Sequence, residues 1–442
     1  MADNDVSARM REDWNARARE DAGYYVAFGQ RDQDDAGFFA TATQTVNGLE
    51  KELKRVPAKQ RRNWAALEIG CGPGRLMRPM SRHFGAIHGV DVSDEMIALA
   101  KEKLRDTPNA YPQVCDGSRL TMFEDGSIDY VYSYAVFQHI PSREVVLEYL
   151  REVRRVLKVG GLARLQLNGL TRSFDDVYTT WSGARFSSQE VLEFARNQDM
   201  QVLALEGAGT QYMWTTWRKQ AEGWNAAQER REFPEYPSRI RRITNASSSE
   251  PVAPSRGRFA SISIWMENLP PDASLQHLRV SIGDALGTVL YIGAPDSAGL
   301  QQITVNLPEL ETTGLLPVEV RWLETPIVAR TTLRIIPPGP LVPAIRSITD
   351  GVNLVAGNRI ETRLGKVTLE EIARPDEIGA TINGMPVWNL EYFCTEPRPQ
   401  VYEVNFRVPD ELGPGNYPLE VSVGRRKLAP VMVQVVSSPT PS

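Results

Sequence analysis

Three glycines in five positions follow a short apolar run in the stretch LEIGCGPGR, residues 67–75. Glycine-rich turns after a strand let main-chain N–H groups approach a phosphate at a helix N-terminus. The spacing differs from the dinucleotide fingerprint G-x-G-x-x-G, because Gly70 and Gly72 are followed by a glycine at Gly74, one position early. The carboxylate of Glu68, two positions before the first glycine, would repel a pyrophosphate and attract an ammonium group. The turn therefore predicts a site for a ligand with a cationic end.

Two further carboxylates follow the next predicted strands. The run AIHGVDV brings Asp91 to a strand end, where an acid can accept hydrogen bonds from both hydroxyls of a ribose. The run YPQVCDG ends with Asp116 and Gly117, where a side-chain acceptor can meet the exocyclic amine of an adenine. Each acid could also be an ordinary turn residue. These positions extend the candidate site toward a nucleoside.

The elements that must position these residues alternate between short apolar runs and amphipathic helical stretches up to about residue 220. Ser93 is a candidate N-cap of one such helix, and the runs SIDYVYSYAVFQHI and LARLQLNG are predicted to form the fourth and fifth strands. The helical stretch between those two strands has four apolar side chains on one face: Val146, Leu150, Val153 and Leu157. This alternation predicts an α/β fold with a mostly parallel sheet and crossover helices.

Composition limits the class of protein. A chain of 442 residues with a net charge of −5 is expected to form several soluble domains, without an overall bias toward nucleic acid or anionic membranes. The N-terminus has no apolar core of a signal peptide and no apolar run approaches the length of a membrane span, so a cytoplasmic location is expected. The cysteines and histidines have no metal-ligand or disulfide spacing. They are Cys71, Cys115, Cys394, His83, His88, His139 and His277.

The pattern changes beyond about residue 250 to short period-2 runs separated by Pro and Gly, which is typical of antiparallel sandwiches. Residues 303–320 align with residues 404–421 at an offset of 101, which matches Pro308 with Pro409. A strand-rich repeat of this length predicts two tandem all-β immunoglobulin-like sandwiches. The predicted domains are 1–220, a charged and Ser/Pro-rich linker at 221–250, and sandwiches at 251–338 and 339–442.

Two family resemblances are carried by these motifs. The ordered stretches LEIGCGPGR, GVDVSDEM, VCDG, SIDYVYSYAVFQHIP and LREVRRVLKVGGLARLQL resemble class I S-adenosylmethionine-dependent methyltransferases of the small-molecule type, over roughly residues 10–220. The resemblance implies a seven-stranded Rossmann-like sheet whose last two strands form a hairpin, here expected in MQVLALEGAGTQYMWTTWRK. In the second sandwich, ATINGMPV and the stretch PAIRSITDGVNLVAGNRIE resemble immunoglobulin-like domains of the IPT/TIG type.

The methyltransferase resemblance also implies roles for individual residues. The cofactor would be S-adenosylmethionine, whose methionine ammonium explains the acid two positions before the glycines. Its methionine part would lie against Glu68, Gly70, Gly72 and Gly74, its ribose against Asp91, its adenine against Asp116 and Gly117, and its methyl sulfur against Ser133 and Tyr134. His139 could be a base for the acceptor or could cap the next helix, and Tyr24 and Tyr25 could belong to an N-terminal helical lid or to an ordinary packed helix.

The acceptor is less constrained. Transfer to a hydroxyl of a small molecule or glycoconjugate is expected, with the sandwiches docking the acceptor or a partner protein. Four aromatic side chains after the fifth strand could stack on such an acceptor or belong to the core: Phe174, Tyr178, Trp181 and Phe186. The fourth strand lacks the signatures of DNA methyltransferases, so nucleic acid is a poor substrate. The alternatives are a noncatalytic cofactor-binding protein that acts through the sandwich pair, and a dinucleotide-dependent oxidoreductase, which the glycine spacing disfavours.

Overall fold

The computed structural model divides into two compact units. Of the described residues, the first unit contains those up to Val26 and those from Asp34 to Pro338, and the second contains Ala27 and those from Gly339 onward. None of the described helices is long and apolar enough to cross a membrane. The residues that the structure describes are 3–27, 34–170, 177–234, 236–351, 357–396 and 400–436.

The N-terminal part of the first unit is an α/β structure. Its helices are α1 (Asp3–Ala27), α2 (Asp35–Ala40), α3 (Thr43–Leu53), α4 (Ala58–Arg61), α5 (Met77–Met80), α6 (Asp94–Lys103), α7 (Arg143–Val156), α8 (Ser188–Asn197) and α9 (Trp224–Glu229). Its strands are β1 (Ala65–Ile69), β2 (Ala86–Asp91), β3 (Ala110–Val114), β4 (Ile128–Ser133), β5 (Leu157–Leu167), β6 (Met200–Glu206) and β7 (Met213–Lys219).

These seven strands form a Rossmann-like sheet in the order β3-β2-β1-β4-β5-β7-β6. The first five are parallel to their neighbours, and β7 runs antiparallel between β5 and β6. The predicted hairpin of the last two strands is therefore confirmed. Because all parallel strands point the same way, the turns that follow β1, β2, β3 and β4 lie along one edge of the sheet.

Local sequence explains these elements. The side chain of Ser93 caps α6 by accepting from Met96 N at 3.0 Å, as predicted. The amphipathic helix α7 buries its predicted apolar face, but Leu157 begins β5 instead of extending the helix, with φ −66° and ψ 138°. The glycines that follow this residue along the chain disfavour further helix, and the chain continues into β5, which is buried from Gly161 onward.

The prediction of a linker at residues 221–250 is wrong. This segment contains α9 and a strand, β8 (Arg239–Asn245), which pairs along its length with the strand at Ser261–Glu267 in the strand-rich segment that follows. Trp224 and Gln228 of α9 are buried. The polar composition misleads here because the segment is held by partners far away in sequence rather than by a local apolar pattern.

The C-terminal part of the first unit has two layers of strands. The strands that follow β8 are β9 (Val252–Pro254), β10 (Ser261–Glu267), β11 (Leu278–Ile282), β12 (Ala285–Ile292), β13 (Gln301–Asn306), β14 (Gly314–Trp322), β15 (Thr325–Pro326) and β16 (Thr331–Ile336). The strand β12 pairs with β13 in one layer and with β11 in the other.

One hydrophobic core runs through both parts of the first unit. At the seam, Leu275 N donates to Val202 O of β6 at 2.9 Å, and the indole Nε1 of Trp322 donates to Gln228 O of α9 at 3.1 Å. Tyr291 of β12 pairs with Ala204 of β6, so the two strand systems are joined edge to edge. The first strand-rich segment is therefore part of the compact unit that carries the Rossmann-like sheet.

The second unit is also strand-rich, and its two sheets share one core. The strands of this unit are β17 (Ala344–Asp350), β18 (Arg359–Ile360), β19 (Leu364–Glu370), β20 (Ile378–Ile382), β21 (Met385–Pro386), β22 (Trp388–Glu396), β23 (Val401–Arg407), β24 (Gly415–Val423), β25 (Arg426–Lys427) and β26 (Val431–Val435). One sheet has the order β17-β19-β23-β22, and the other has β18-β26-β24-β20-β21 with β25 added to β24. Strands β13 and β14 recur as β23 and β24 near the predicted offset.

Candidate functional site

The glycine turn after β1 forms its hydrogen bonds within the protein. Gly70, Gly72 and Gly74 all have positive φ. A Cβ at Gly70 would lie 2.2 Å from a methyl of Val136, and one at Gly74 would lie 2.7 Å from a methyl of Leu104. The three glycine N–H groups donate within the protein, to Val90 O, the Asp91 carboxylate and Cys71 O. Glycine is therefore required at Gly70 and Gly74 by close packing against Val136 and Leu104, and the turn offers no free glycine N–H to a ligand.

Glu68 lies at the end of β1 with only 3% of its side chain exposed. The hydroxyl of Tyr132, on the adjacent β4, donates to Glu68 Oε2 at 2.8 Å. Burial raises the pKa of Glu68 to about 8, against the lowering effect of the Tyr132 hydrogen bond and the nearby Arg75 guanidinium. The Glu68 carboxyl group is therefore mostly neutral at pH 7, and a cation bound beside it would favour the ionised form.

Asp91 ends β2, next to the glycine turn. Its Oδ2 accepts from Gly72 N and its Oδ1 accepts from Ser93 N, both at 2.9 Å. Burial raises its pKa, opposed by these backbone hydrogen bonds. Each carboxylate oxygen has a further acceptor lone pair, so the group can bind two hydroxyls while holding the turn.

The turn after β3 also forms as predicted. Asp116 Oδ1 accepts from Ser118 N at 2.8 Å and from Arg119 N at 2.7 Å, which is the hydrogen-bond pattern of a turn residue. This turn uses one oxygen of the exposed carboxylate. Gly117 is buried with φ 89°, and a Cβ there would lie 2.9 Å from a methyl of Val92 at the end of β2. The structure brings the β2 and β3 turns together.

The end of β4 completes this edge. Ser133 is buried and its hydroxyl donates to Ile69 O at 2.9 Å, so its side chain joins β4 to β1. Tyr134 is partly exposed, and its ring stacks on Trp214 of β7 with centroids 5.5 Å apart. The next residue, Ala135, has φ 56° and donates its N–H to Gln166 of β5.

His139 lies in the turn after β4 with both ring nitrogens engaged. Its Nδ1 is 3.1 Å from Trp181 O and its Nε2 is 3.2 Å from Gln138 Nε2. Because the carbonyl oxygen accepts, the ring proton lies on Nδ1 and Nε2 accepts from the amide of Gln138. Burial lowers the pKa of His139 to about 4. The imidazole is neutral and fixed by its neighbours, which weighs against the predicted role as a general base.

The long helix α1 lies across this edge of the sheet. Arg11 donates to Val92 O and to Cys115 O, both at 3.1 Å, and Asn15 accepts from the hydroxyl of Ser93. The C-terminal end of α1 reaches the glycine turn, where Val26 lies 3.3 Å from the Cβ position of Gly72. The predicted N-terminal helix therefore covers the turns after β1, β2 and β3.

This helix is interrupted at Asp21, which has φ −167° and ψ 90° and caps the following turn by accepting from Tyr24 N at 2.9 Å. Tyr24 is buried, and the hydroxyl of Tyr25 donates to Glu20. The two tyrosines thus sit in the short segment after the break, beside the glycine turn.

Some residues of this edge were not singled out by the sequence. Arg75, directly after the third glycine, is 6% exposed, donates to Thr41 O at 3.1 Å and has a buried Nε without a hydrogen-bond partner. Gln138 and Gln166 form a buried amide pair behind His139. A charged residue beside a buried glycine turn was the available signal for Arg75, whereas the amide pair has no local pattern.

The four aromatic residues that could stack on an acceptor differ in their surroundings. Phe186 is buried in the core with the Arg143 guanidinium over its ring, and Tyr178 packs against the same core. Trp181 faces His139 with ring centroids 5.6 Å apart. Phe174 lies outside the described residues. Phe186 is thus excluded as an acceptor contact.

Residues 67–165 match the family model of the methyltransferase domain. This range contains all nine predicted cofactor contacts and the edge formed by β1 to β4.

Curated relatives match a stretch of similar length. Phosphoethanolamine N-methyltransferase 2 of Caenorhabditis elegans is 34% identical over 105 residues, which are 23% of this chain and 23% of that protein. Demethylmenaquinone methyltransferase of Staphylococcus saprophyticus is 34% identical over 101 residues, 22% of this chain and 41% of that protein. The chain therefore spans well under half the length of these relatives.

Two solved structures are similar at low identity. Phosphoethanolamine N-methyltransferase 1 of Haemonchus contortus, in complex with phosphoethanolamine and S-adenosylhomocysteine, has 16% identity and a TM-score of 0.39, covering 52% of this chain and 56% of that one. Geranyl diphosphate C-methyltransferase of Streptomyces coelicolor has 13% identity and a TM-score of 0.36, covering 48% and 97%. These scores are too low to support an argument about the acceptor. By their family match, residues 67–165 are a methyltransferase domain, and the structure places them in a Rossmann-like sheet.

Proposed function

We propose that the chain transfers a methyl group from S-adenosylmethionine to a small-molecule acceptor. The observation that carries this proposal is the edge formed by β1, β2 and β4, where a buried Glu68, the glycine turn and Asp91 lie next to one another. This donor set fits the cofactor, since it offers a carboxylate for an ammonium and a second carboxylate for a ribose.

In this arrangement the residues bind and orient the cofactor. Glu68 faces the methionine ammonium, Asp91 accepts from the ribose hydroxyls, and Asp116 with Gly117 borders the adenine. Arg75, whose buried Nε has no partner, is the additional residue we assign to the methionine carboxylate. The sulfonium is an activated methyl donor, so the chain has to align the acceptor and exclude water rather than supply a nucleophile.

We expect Asp91→Ala to weaken cofactor binding by at least about tenfold. The substitution removes two hydrogen bonds to a charged group, each worth about 1.5–3 kcal/mol, and also releases Gly72 N. Isothermal titration of the full chain with S-adenosylhomocysteine measures the loss. Asp106→Ala removes a 91% exposed carboxylate after α6 and should bind like the wild type. Equal affinities of the Asp91 variant and the wild type would contradict the ribose assignment.

The acceptor proposal is narrower than the sequence alone allowed. A hydroxyl of a small molecule or glycoconjugate remains the proposed acceptor class. However, a neutral His139 with both nitrogens bonded weighs toward an acceptor that needs no strong base, such as an acidic hydroxyl. In that case His139 positions Trp181 and the buried amide of Gln138 behind the acceptor rather than taking a proton.

The ionisation of His139 can be measured directly. We expect its ring to titrate at a pKa below 5 in proton NMR of the full chain, because burial favours the neutral form. The His139→Gln spectrum assigns the signal among the four histidines. A ring that titrates between pH 6 and 7 would restore the general base as the better assignment.

We further propose that the second unit docks the acceptor or a partner protein. Strand β22 lies at the edge of its sheet and exposes three aromatic side chains: Trp388 (57%), Phe393 (44%) and Tyr392 (42%). Exposed aromatic side chains of this kind are typical of recognition surfaces. The immunoglobulin-like and IPT/TIG-like assignment of the sandwiches remains a prediction from the sequence pattern.

A further inference from the structure

A pocket of about 270 Å³ lies within the first unit, away from the strand ends that form the cofactor edge. Its walls come from the end of α8, the end of α9 and the start of β11, so it sits at the seam between the Rossmann-like sheet and the first strand-rich segment. The lining residues are Arg196, Glu229, Gln276, His277, Arg279 and Leu323. The volume is below the range of about 300–1,000 Å³ that holds drug-sized ligands, so only a small ligand fits.

Two polar atoms of this lining are buried without partners. One is Nδ1 of His277, a residue that is only 2% exposed, and the other is Nε2 of Gln276. His277 Nε2 is 3.0 Å from Asn225 Oδ1, and because that oxygen can only accept, the ring proton lies on Nε2. His277 Nδ1 is therefore an acceptor that lacks a donor, and Gln276 Nε2 is a donor that lacks an acceptor.

The orientation of His277 is fixed by its surroundings. Its ring stacks on Trp322 with centroids 5.3 Å apart and 13° between planes, and it meets Trp224 edge-on at 5.3 Å. Burial lowers its pKa to about 4, with Arg279 and Arg196 acting in the same direction. The ring cannot turn to find another partner, so the unpaired Nδ1 is a built feature of the pocket.

The charged side chains give the pocket a net positive character. Arg196 pairs with Glu229, whereas Arg279 donates to Leu278 O at 3.0 Å and forms no salt bridge among the described residues. Burial lowers the pKa of Arg279, while the Glu324 carboxylate acts in the opposite direction without forming a salt bridge to it. An anionic ligand would supply that missing partner.

We propose that this pocket binds a small oxyanion that carries a hydroxyl group, such as a monoprotonated phosphate or a hydroxycarboxylate. The anionic oxygens accept from Arg279 and from Gln276 Nε2, and the hydroxyl donates to His277 Nδ1. These three contacts come from the residues that lead into and begin β11, while Arg196 of α8 and Glu229 of α9 form the opposite side of the pocket. The inference is independent of the methyl-transfer proposal because it uses none of the cofactor residues.

The probe is inorganic phosphate, compared with sulfate at equal ionic strength and neutral pH on the full chain. Sulfate has the charge but no hydroxyl, so it leaves His277 Nδ1 unpaired. We expect isothermal titration to give one phosphate site with affinity at least tenfold above that for sulfate. The same difference is expected between glycolate and acetate. Equal binding of phosphate and sulfate, or no binding of either, would overturn the proposal.

Two substitutions with opposite expected effects on phosphate affinity locate the site. Arg279→Gln should weaken phosphate binding at least tenfold, and Glu229→Gln should strengthen it severalfold because a like charge leaves the pocket. Arg330→Gln, at a 72% exposed arginine of the same segment, is the matched control and should change nothing. Phosphate affinity that is the same in the Arg279 and Glu229 variants as in the wild type would place the anion elsewhere.

A thermal-shift experiment with S-adenosylhomocysteine distinguishes phosphate bound in this pocket from phosphate bound at the cofactor site. Phosphate should raise the melting temperature by the same amount with and without saturating S-adenosylhomocysteine, since the two ligands occupy different sites. A phosphate effect that disappears in the presence of S-adenosylhomocysteine would mean that phosphate occupies the cofactor edge, and would contradict the proposal. A chain that binds phosphate but not S-adenosylhomocysteine would refute the proposed function and leave this inference standing.

Discussion

A chain that ends at Arg242 should fail to fold, whereas a chain that ends at Pro338 should fold and bind S-adenosylhomocysteine like the full chain. The shorter cut divides β8 and removes every later strand of the first unit. Val202 and Gln228 would lose the hydrogen bonds from Leu275 and Trp322. The core they share would be opened to water, which costs several kcal/mol, at about 25 cal/mol per Å² of apolar surface.

The measurement is the soluble yield and the cooperativity of thermal unfolding for the two truncated chains beside the full chain. We expect aggregation or a broad, non-cooperative transition for the chain cut at Arg242. The chain cut at Pro338 is the matched control, because it loses the second unit without cutting the shared core. A soluble chain ending at Arg242 that binds S-adenosylhomocysteine with wild-type affinity would show that the strand-rich segment is an independent domain after all.

The sequence predicted the parts of the fold that depend on local pattern. The run from Leu67 to Gly74 predicts a strand and a turn within eight residues, and the acids at Asp91 and Asp116 follow apolar strands directly. The Rossmann-like order and the final hairpin then follow from the alternation of elements and the family resemblance. These features are each encoded within a few neighbouring residues. For this reason the sequence alone could predict that Glu68, Asp91 and Asp116 lie at the same edge of the sheet.

The contacts that join the Rossmann-like sheet to the first strand-rich segment could not be predicted, because they involve residues that are far apart in the sequence. Strand β8, with the sequence RIRRITN, has no clean period-2 pattern. It is held by distant partners, since the Arg242 guanidinium lies 4.4 Å from the centroid of the Trp265 ring and Arg241 pairs with Glu267. Charged side chains that lie over aromatic rings look like solvated linker in a sequence. The same applies to Arg75, whose burial depends on Thr41 of the N-terminal helices.

His139 shows a further limit of sequence reasoning. Its position after β4 predicted either a base or a structural residue, and those two readings differ only in the partners of the ring. The partners are Trp181 O, from a loop far along the chain, and the side chain of Gln138. Neither contact has a signature in the sequence, so the choice between proton transfer and positioning needed the folded geometry.

Cofactor binding should release close to one proton at pH 7, and this proton should come from Glu68. With a pKa of about 8, the buried carboxyl is about nine tenths protonated in the free protein at that pH. The groups that act on it are the Tyr132 hydroxyl, the Arg75 guanidinium and the Asp91 carboxylate. A methionine ammonium placed beside Glu68 favours the ionised form, so the affinity for S-adenosylhomocysteine should rise about tenfold per pH unit between pH 5.5 and 7.5.

Isothermal titration in two buffers of different ionisation enthalpy measures the released proton. Glu68→Gln keeps the shape of the side chain and can still accept from Tyr132, but it cannot ionise, so proton release and the pH slope should both disappear. Asp91→Asn is the matched control, because burial raises the pKa of Asp91 as well. It should bind more weakly and keep the slope. If the slope is lost in the Asp91 variant and kept in the Glu68 variant, the two carboxylates have been assigned the wrong way round.

The stability of the free protein should change with pH in the direction opposite to that of the affinity for S-adenosylhomocysteine. Folded Glu68 holds its proton up to about pH 8, whereas in the unfolded chain its pKa is about 4.3. The folded state therefore binds more protons than the unfolded state between these values, and the free energy of unfolding falls as pH rises through this window. Glu68→Gln removes that loss, so its melting temperature without ligand should fall less than that of the wild type from pH 6 to pH 8. Identical melting curves across this range would mean that Glu68 is already ionised at pH 6, and the buried, neutral carboxyl would have to be abandoned.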